Sequence, residues 1–201
     1  MLDSMTRVAK EMVLSPFARV LKPVHPNVVT LMSAVPGLLA AWFATQGLMG
    51  WAITMWAANR ILDGLDGTMA RDQASQSDFG GYLDILIDFV VYAIIPIGIV
   101  LGQPTQSNWM ALATLLAVYY VNSASWIYLS SILEKRGSGM LNNGEMTSVT
   151  MPTGVVEGTE TVIAYFLFLI FSNYAAVLFL IFAALILITI AQRLIWARKH
   201  L

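Results

Sequence analysis

The 201-residue chain has no cysteine, which excludes disulfides, thiolate metal sites and cysteine nucleophiles. Charge is scarce as well: Asp, Glu, Lys and Arg together make up 11% of the residues, less than half of the ~25% usual in soluble domains. Neither sign prevails, since 11 Lys and Arg stand against 12 Asp and Glu for a net charge of −1. No basic field therefore exists to hold nucleic acid. Internal repeats and low-complexity segments are also missing. What fills the chain is apolar: 58% of residues are hydrophobic and the mean hydropathy is +0.71, values that exclude a soluble globular protein. A membrane-crossing helix takes ~20 apolar residues, so a chain of this length holds at most about six or seven of them, with little left for an aqueous domain. The expectation is one all-α integral membrane protein.

Residues 1–26 are the least hydrophobic stretch. Leu2, Met5, Val8, Met12, Val13 and Leu14 recur at helical spacing opposite Arg7, Lys10 and Glu11, the pattern of an amphipathic helix lying in the membrane interface. The apolar core and small-residue cleavage site of a signal peptide are missing, so this segment is expected to remain in the mature protein. Residues 27–201 then carry six apolar runs, at about 28–46, 50–70, 82–102, 109–133, 156–172 and 175–197, and predict a six-span membrane domain. The second run is interrupted by Arg60, Asp63 and Asp66, and the third opens with Asp84 and Asp88; a span that buries charge inside a bundle is still physically allowed. Arg7, Lys10, Arg19 and Lys22 precede the first run, Arg71 follows the second, Lys135 and Arg136 follow the fourth, and Arg198 and Lys199 lie at the chain end. The alternate loops, 47–50, 103–108 and 172–174, carry no charge. The positive-inside rule then places both termini in the cytoplasm, in a multi-pass protein of the cytoplasmic (inner) membrane.

The costly residues gather. Asp63 and Asp66 are three apart and Asp84 and Asp88 four apart, so each pair shares one face of its own helix. Intramembrane charge costs roughly 2.5–3.5 kcal/mol per residue even on the lenient insertion scale, so four carboxylates together need a compensating partner. Oxygen ligands without His or Cys favour hard ions such as Mg²⁺ or Mn²⁺. Gly67, Ala70 and Gly80 lie one helical turn from these acids and leave a cleft in which a ligand can approach the backbone. Arg71, with its planar fork of donors, suits a phosphate beside the metals. Metals, arginine and a small-residue groove describe a diphosphate site, and two ions can clamp the attacking and leaving oxygens of an in-line displacement.

The order Asp63-x2-Asp66-Gly67-x2-Ala70-Arg71-x8-Gly80-x3-Asp84-x3-Asp88 resembles, at every position, the signature of the CDP-alcohol phosphotransferases. At ~5–8% usage per residue type, chance agreement at all of these positions is on the order of 10⁻¹⁰ per starting point. Pro26-Asn27-x2-Thr30 is similar to a weaker element of the same family. The resemblance implies transfer of a substituted phosphate from a CDP-linked donor, usually CDP-diacylglycerol, to a small alcohol, with release of CMP. It implies that Asp63, Asp66 and Asp84 bind metal, and that Asp88 binds metal and is the candidate base for the acceptor hydroxyl. By the same likeness Gly67, Ala70, Arg71 and Gly80, with Asn27, Thr30 and Asp66, line the nucleotide and diphosphate site. The same resemblance suggests a homodimer, while the charge placement puts both acid pairs at cytoplasmic helix ends, so that the active site, with its two ions, is expected to face the cytoplasm.

Other polar residues carry competing readings. Asp72 and Asp78 read as solvated loop charges, and Arg60 as a structural residue that pairs with a motif carboxylate or snorkels. Around Glu157-Gly158-Thr159-Glu160, the two acids favour the positive end of a helix dipole with Thr159 as a cap; alternatively Glu157, Thr159 or Glu160 hydrogen-bonds acceptor hydroxyls. Arg193 either snorkels or matches an arginine that family members place near the acceptor. The stretch Trp126–Ser131 holds no base, which argues for an uncharged or zwitterionic polyol or amine rather than glycerol 3-phosphate or inositol phosphate, whose dianionic phosphate calls for several cations. Lys135 and Arg136 would weaken this argument by folding inward. A carboxylate-based ion transporter and a prenyltransferase with Asp-rich motifs remain the alternatives from other classes.

Overall fold

The computed structural model describes residues 14–18, 23–137 and 154–201, and among these every regular element is helical. Among the described residues from 23 onward, six α-helices follow one another: α1 Pro26–Thr45, α2 Met49–Asp72, α3 Asp78–Gly102, α4 Gln106–Lys135, α5 Gly158–Ile170 and α6 Ala175–His200, with a 3₁₀ turn at Ser172–Tyr174 before α6. Each corresponds to one of the six apolar runs. Most of the expected interfacial helix lies outside the described residues; of it, residues 14–18 are helical, and Leu14 and Ala18 are buried with Val29, Leu65 and Met69.

Local chemistry sets the boundaries. Pro26 occupies the first turn of α1, where its missing N–H costs nothing, and the His25 Nδ1 accepts from the Asn27 N–H at 3.2 Å. Ser77 caps α3 by accepting from the Gly80 N–H at 3.1 Å, and Thr105 caps α4 by accepting from Asn108 at 3.1 Å. Helix α2 ends on Asp72 and turns through Ala74, whose φ of 49° is left-handed. Four segments are long and apolar enough to cross a membrane: Pro26–Thr45, Asp78–Gly102, Gln106–Lys135 and Ser172–His200. Helix α2 is long but interrupted by its charges. Helix α5 has 13 residues, about 20 Å at 1.5 Å per residue, and is shorter than its apolar run because Glu157 caps its start and Phe171 leaves helical geometry at φ −109°, ψ 39°.

Helix α1 packs along both α2 and α3, which stand further from one another; α4 packs along α6, and α5 bridges toward α2 and α6. Trp56, Tyr165, Phe168 and Phe179 are among the largest fully buried side chains. Close approach of α3 to α1 requires glycine: a Cβ at Gly98 would press into the Ala41 carbonyl, a backbone atom that cannot swing away. Gly98→Leu is accordingly expected to lower stability by about 1–3 kcal/mol, the usual cost of overpacking, read as a drop in melting temperature in detergent; an unchanged melting temperature would show that the α1–α3 seam yields.

Candidate active site

Alternation of the helices brings the starts of α1, α3 and α5 and the ends of α2, α4 and α6 to one end of the bundle. Contacts across that end agree: Arg136 Nη1 donates to the Leu201 carbonyl at 2.8 Å, and the Val156 N–H donates to Thr189 Oγ1 at 2.9 Å. At the opposite end Gln103 Nε2 reaches Asn173 Oδ1 at 3.3 Å.

The motif acids lie in two rows across the gap between α2 and α3. Asp66 stands six residues before the end of α2 and Asp84 six after the start of α3; Asp63 and Asp88 stand nine before and ten after. At 1.5 Å per residue the outer row is therefore about 9 Å, and the inner row about 14 Å, inside the helix ends. Asp66 is buried at 5% exposure, and the other three are half-buried. Asp84 lies within electrostatic reach of Asp63, Asp66 and Asp88, and Asp88 within hydrogen-bonding reach of Asp63.

Arg60 sits in the inner row. Its Nη2 donates to Asp88 Oδ1 at 2.7 Å and lies 3.7 Å from Asp63 Oδ1. Nη1 donates to the Tyr92 hydroxyl at 3.0 Å and Nε to Asn59 Oδ1 at 2.8 Å, while Asn59 Nδ2 is anchored on the Ser33 carbonyl of α1 at 2.7 Å. The guanidinium also lies over the Trp56 ring, 4.5 Å from its centroid. Of the two structural roles the sequence left to Arg60, the ion pair is the one formed. Its signal in the sequence was the three-residue spacing to Asp63; Asn59 and Tyr92 gave none.

Around the mouth of the gap the structure brings most of the expected diphosphate residues together. The Arg71 guanidinium lies 3.5 Å from where a Gly67 Cβ would stand, and a Gly80 Cβ would come within 2.9 Å of Asn27 Oδ1. Side chains at Gly67 or Gly80 would fill this cradle. Ala70 is half-buried, one residue from Arg71. Thr30 is buried and its hydroxyl donates back to the Pro26 carbonyl at 3.2 Å, so it faces the helix backbone. Asp72 and Asp78 are exposed, as solvated charges should be.

A third group lies where α4, α5 and α6 meet. Arg193 is buried at 4% exposure; its Nη1 donates to Asn122 Oδ1 at 2.6 Å, its Nε has no hydrogen-bond partner, and Glu157 is in electrostatic reach. Snorkelling is thus not its conformation. The cap of α5 is not Thr159 but Glu157, which forms a reciprocal capping box with Glu160: the Glu157 N–H donates to Glu160 Oε2 at 3.0 Å. Glutamates win here because both carboxylates reach orphan N–H groups of the first turn, while Thr159 already lies inside it. Lys135 and Arg136 are exposed and do not fold inward.

A family model for CDP-alcohol phosphatidyltransferases matches residues 23–197. The chain belongs to the CDP-alcohol phosphatidyltransferase family. It is therefore a transferase of phospholipid synthesis, a membrane enzyme, and the ion-transporter and prenyltransferase alternatives are set aside. Among relatives, the inner membrane protein YnjF of Escherichia coli is 33% identical over 176 residues, 87% of this chain and 82% of that protein. Archaetidylinositol phosphate synthase of Pyrococcus horikoshii is 32% identical over 179 residues, 89% of this chain and 86% of its own length. The phosphatidylinositol phosphate synthase of Mycobacterium tuberculosis shares the fold: solved with CDP-DAG bound, it superposes with a TM-score of 0.67 at 19% identity, covering 91% of this chain and 92% of that one. Solved with manganese and citrate, it gives 0.65 at 22% identity, covering 89% and 86%.

Among the described residues no three acidic side chains converge tightly enough to hold one ion as they stand, since Arg60 spans the inner row. The donor set nevertheless fits a divalent metal. It consists of oxygen donors alone, and four carboxylates share the gap with Arg60 and, at its mouth, Arg71, an excess of negative charge for which a hard cation is the complement.

Proposed function

We propose that this phosphatidyltransferase moves a phosphatidyl group from CDP-diacylglycerol to a small alcohol at the cytoplasmic face of the cytoplasmic membrane, releasing CMP. The observation that carries this reading is the two carboxylate rows, outer and inner, that span the gap between α2 and α3, with Arg71, Gly67, Gly80 and Asn27 at their mouth. Residues 27–201 act as one catalytic domain that crosses six times with both termini cytoplasmic, preceded by an interfacial helix over 1–26, and two chains associate as a homodimer. The synthase of the same fold solved with CDP-DAG, and again with manganese, supports the donor and the metal.

Asp63, Asp66, Asp84 and Asp88 would hold two Mg²⁺ or Mn²⁺ ions, which when bound offset the charge of the diphosphate and of the leaving phosphate. Arg71 presents its fork of donors to the diphosphate, and Gly67 and Gly80 let it approach the backbone. Asp88 takes the acceptor hydroxyl proton as that oxygen bonds to the phosphorus bearing diacylglycerol. The bond from this phosphorus to the CMP oxygen breaks, and CMP leaves with the electron pair. The acyl chains remain in lipid throughout.

Glu157, Thr159, Glu160 and Arg193 form the acceptor side. A single buried arginine with a glutamate in reach, and Lys135 and Arg136 turned outward, support an uncharged or zwitterionic polyol or amine. A second reading, inositol phosphate as acceptor with glycerol 3-phosphate as its analogue, draws on the likeness to archaetidylinositol phosphate synthase along nearly the full chain and on the unbonded Arg193 Nε.

Purified protein incubated with CDP-diacylglycerol, Mg²⁺ or Mn²⁺ and a panel of these alcohols should release CMP and yield one new phospholipid, identified by mass spectrometry. No CMP with any acceptor would overturn the proposal. Arg71→Lys keeps the charge but loses the bidentate fork. A charge-assisted hydrogen bond is worth ~1.5–3 kcal/mol, so kcat/KM for the CDP-lipid is expected to fall ~10- to 100-fold; unchanged kinetics would show that Arg71 does not hold the diphosphate.

A further inference from the structure

Arg60 is held from several sides in the gap between α2 and α3. Three of its nitrogens are engaged: Nε by Asn59 Oδ1 at 2.8 Å, Nη1 by Tyr92 at 3.0 Å and Nη2 by Asp88 Oδ1 at 2.7 Å. The aromatic rings of Trp56 and Tyr92 flank the guanidinium at 4.5 and 5.2 Å. Each tether is held in turn. Asn59 is fully buried and tied to α1 through Ser33, Trp56 is fully buried, and the Tyr92 backbone carbonyl accepts from the Tyr165 hydroxyl of α5. Four helices or their side chains thus keep one cation at one place, and that place is the inner carboxylate row.

Here the guanidinium faces two carboxylates from different helices, Asp88 at 2.7 Å and Asp63 at 3.7 Å, within a group of four. The positive charge stands where the attraction for a divalent ion would be greatest. A guanidinium bonded to Asp88 Oδ1 engages a lone pair that a metal would use and repels a second cation nearby. Its aromatic cage keeps it in place by cation–π attraction rather than by further acids.

We propose that Arg60 is a built-in counter-cation of the carboxylate cluster, holding Asp88 and Asp63 together when no divalent ion does and competing with that ion when it arrives. Arg60 thereby sets the metal affinity of the site and keeps the inner row from repelling itself apart between metal-binding events. This rests on the metal-carboxylate reading above and deepens it.

The test uses the full-length protein in detergent with Mn²⁺ alone as the probe, its affinity measured by calorimetry or paramagnetic resonance and its melting temperature measured in chelator and at saturating Mn²⁺. Arg60→Gln removes the charge and is expected to bind Mn²⁺ at least on the order of tenfold more tightly, within the ~10- to 100-fold range by which groups around a metal's ligands alter affinity. In chelator the same variant should melt below wild type, with the gap closing as Mn²⁺ saturates. Arg60→Lys, which keeps a cation, should bind Mn²⁺ close to wild type. Tyr92→Phe retains the ring and the core but removes one tether, so Arg60 yields more readily; Mn²⁺ affinity should rise about fivefold, the value of one hydrogen bond. Unchanged or weaker Mn²⁺ binding in both Arg60→Gln and Tyr92→Phe, with normal binding in wild type, overturns the role given to Arg60 alone. Absence of Mn²⁺ binding in wild type overturns it together with the metal-carboxylate reading.

Discussion

Asp63→Asn and Asp84→Asn are each expected to reduce phosphatidyl transfer at least about 10³-fold, because charge stabilisation by a bound ion is worth several kcal/mol and each ~1.4 kcal/mol is a factor of ten. The loss should not reflect unfolding. Asp84 stands within electrostatic reach of Asp63, Asp66 and Asp88, and these three acids outnumber the one cation, Arg60, that also reaches it, so removing its charge relieves repulsion in the cluster. In chelator Asp84→Asn should melt at or above the wild-type temperature. Turnover near wild type at saturating Mn²⁺ in either variant would remove the two-ion mechanism, and a low melting temperature in Asp84→Asn would show that its carboxylate is structural.

Asp88→Asn should behave differently on both counts. On the proposed mechanism, loss of the base alone removes ~10²- to 10⁴-fold in rate, and weakened metal binding adds to it, whereas donor affinity would draw mainly on Asp63, Asp66, Asp84 and Arg71. Turnover should therefore fall far more than CDP-lipid affinity, both measured in one preparation with metal occupancy followed alongside. Equal losses would make Asp88 chiefly a ligand for donor binding. The variant should also melt below wild type, because Arg60 loses its partner at 2.7 Å. Removing one member of a fully buried pair costs ~3–5 kcal/mol, and with the Asp88 side chain 26% exposed the loss is smaller but of the same sign. Opposite stability effects in Asp84→Asn and Asp88→Asn would separate the repelling acids from the paired one.

Much of this was legible in the residues. The six helices coincide with six apolar runs because a helix that buries apolar side chains leaves a signal along the chain itself. The acids, Arg71 and the small residues are spaced at helical intervals that local geometry translates directly into shared faces. The capping chemistry around Glu157 was only half legible: acids at a helix start were readable, but reciprocal bonding between Glu157 and Glu160 in place of a Thr159 cap depends on side chains finding particular N–H groups. The inward turn considered for Lys135 and Arg136 also required a surface that the sequence does not display.

What the sequence by itself determined is the membrane character, the helical class and the family motif, since hydropathy and i, i+3 or i, i+4 spacing act over one or two turns. What only the tertiary structure decided is which charges meet. Arg60 and Asp88 are 28 residues apart and Arg193 and Asn122 71 apart, so neither pairing follows from any local period. They arise because α1 packs against both α2 and α3 through small residues such as Gly98 and Ala41, holding the two acidic helices on either side of a gap that Arg60 spans, and because α4 lies along α6. Contacts of this kind depend on how whole helices seat against one another, and that seating is fixed by packing summed over every residue of the interface.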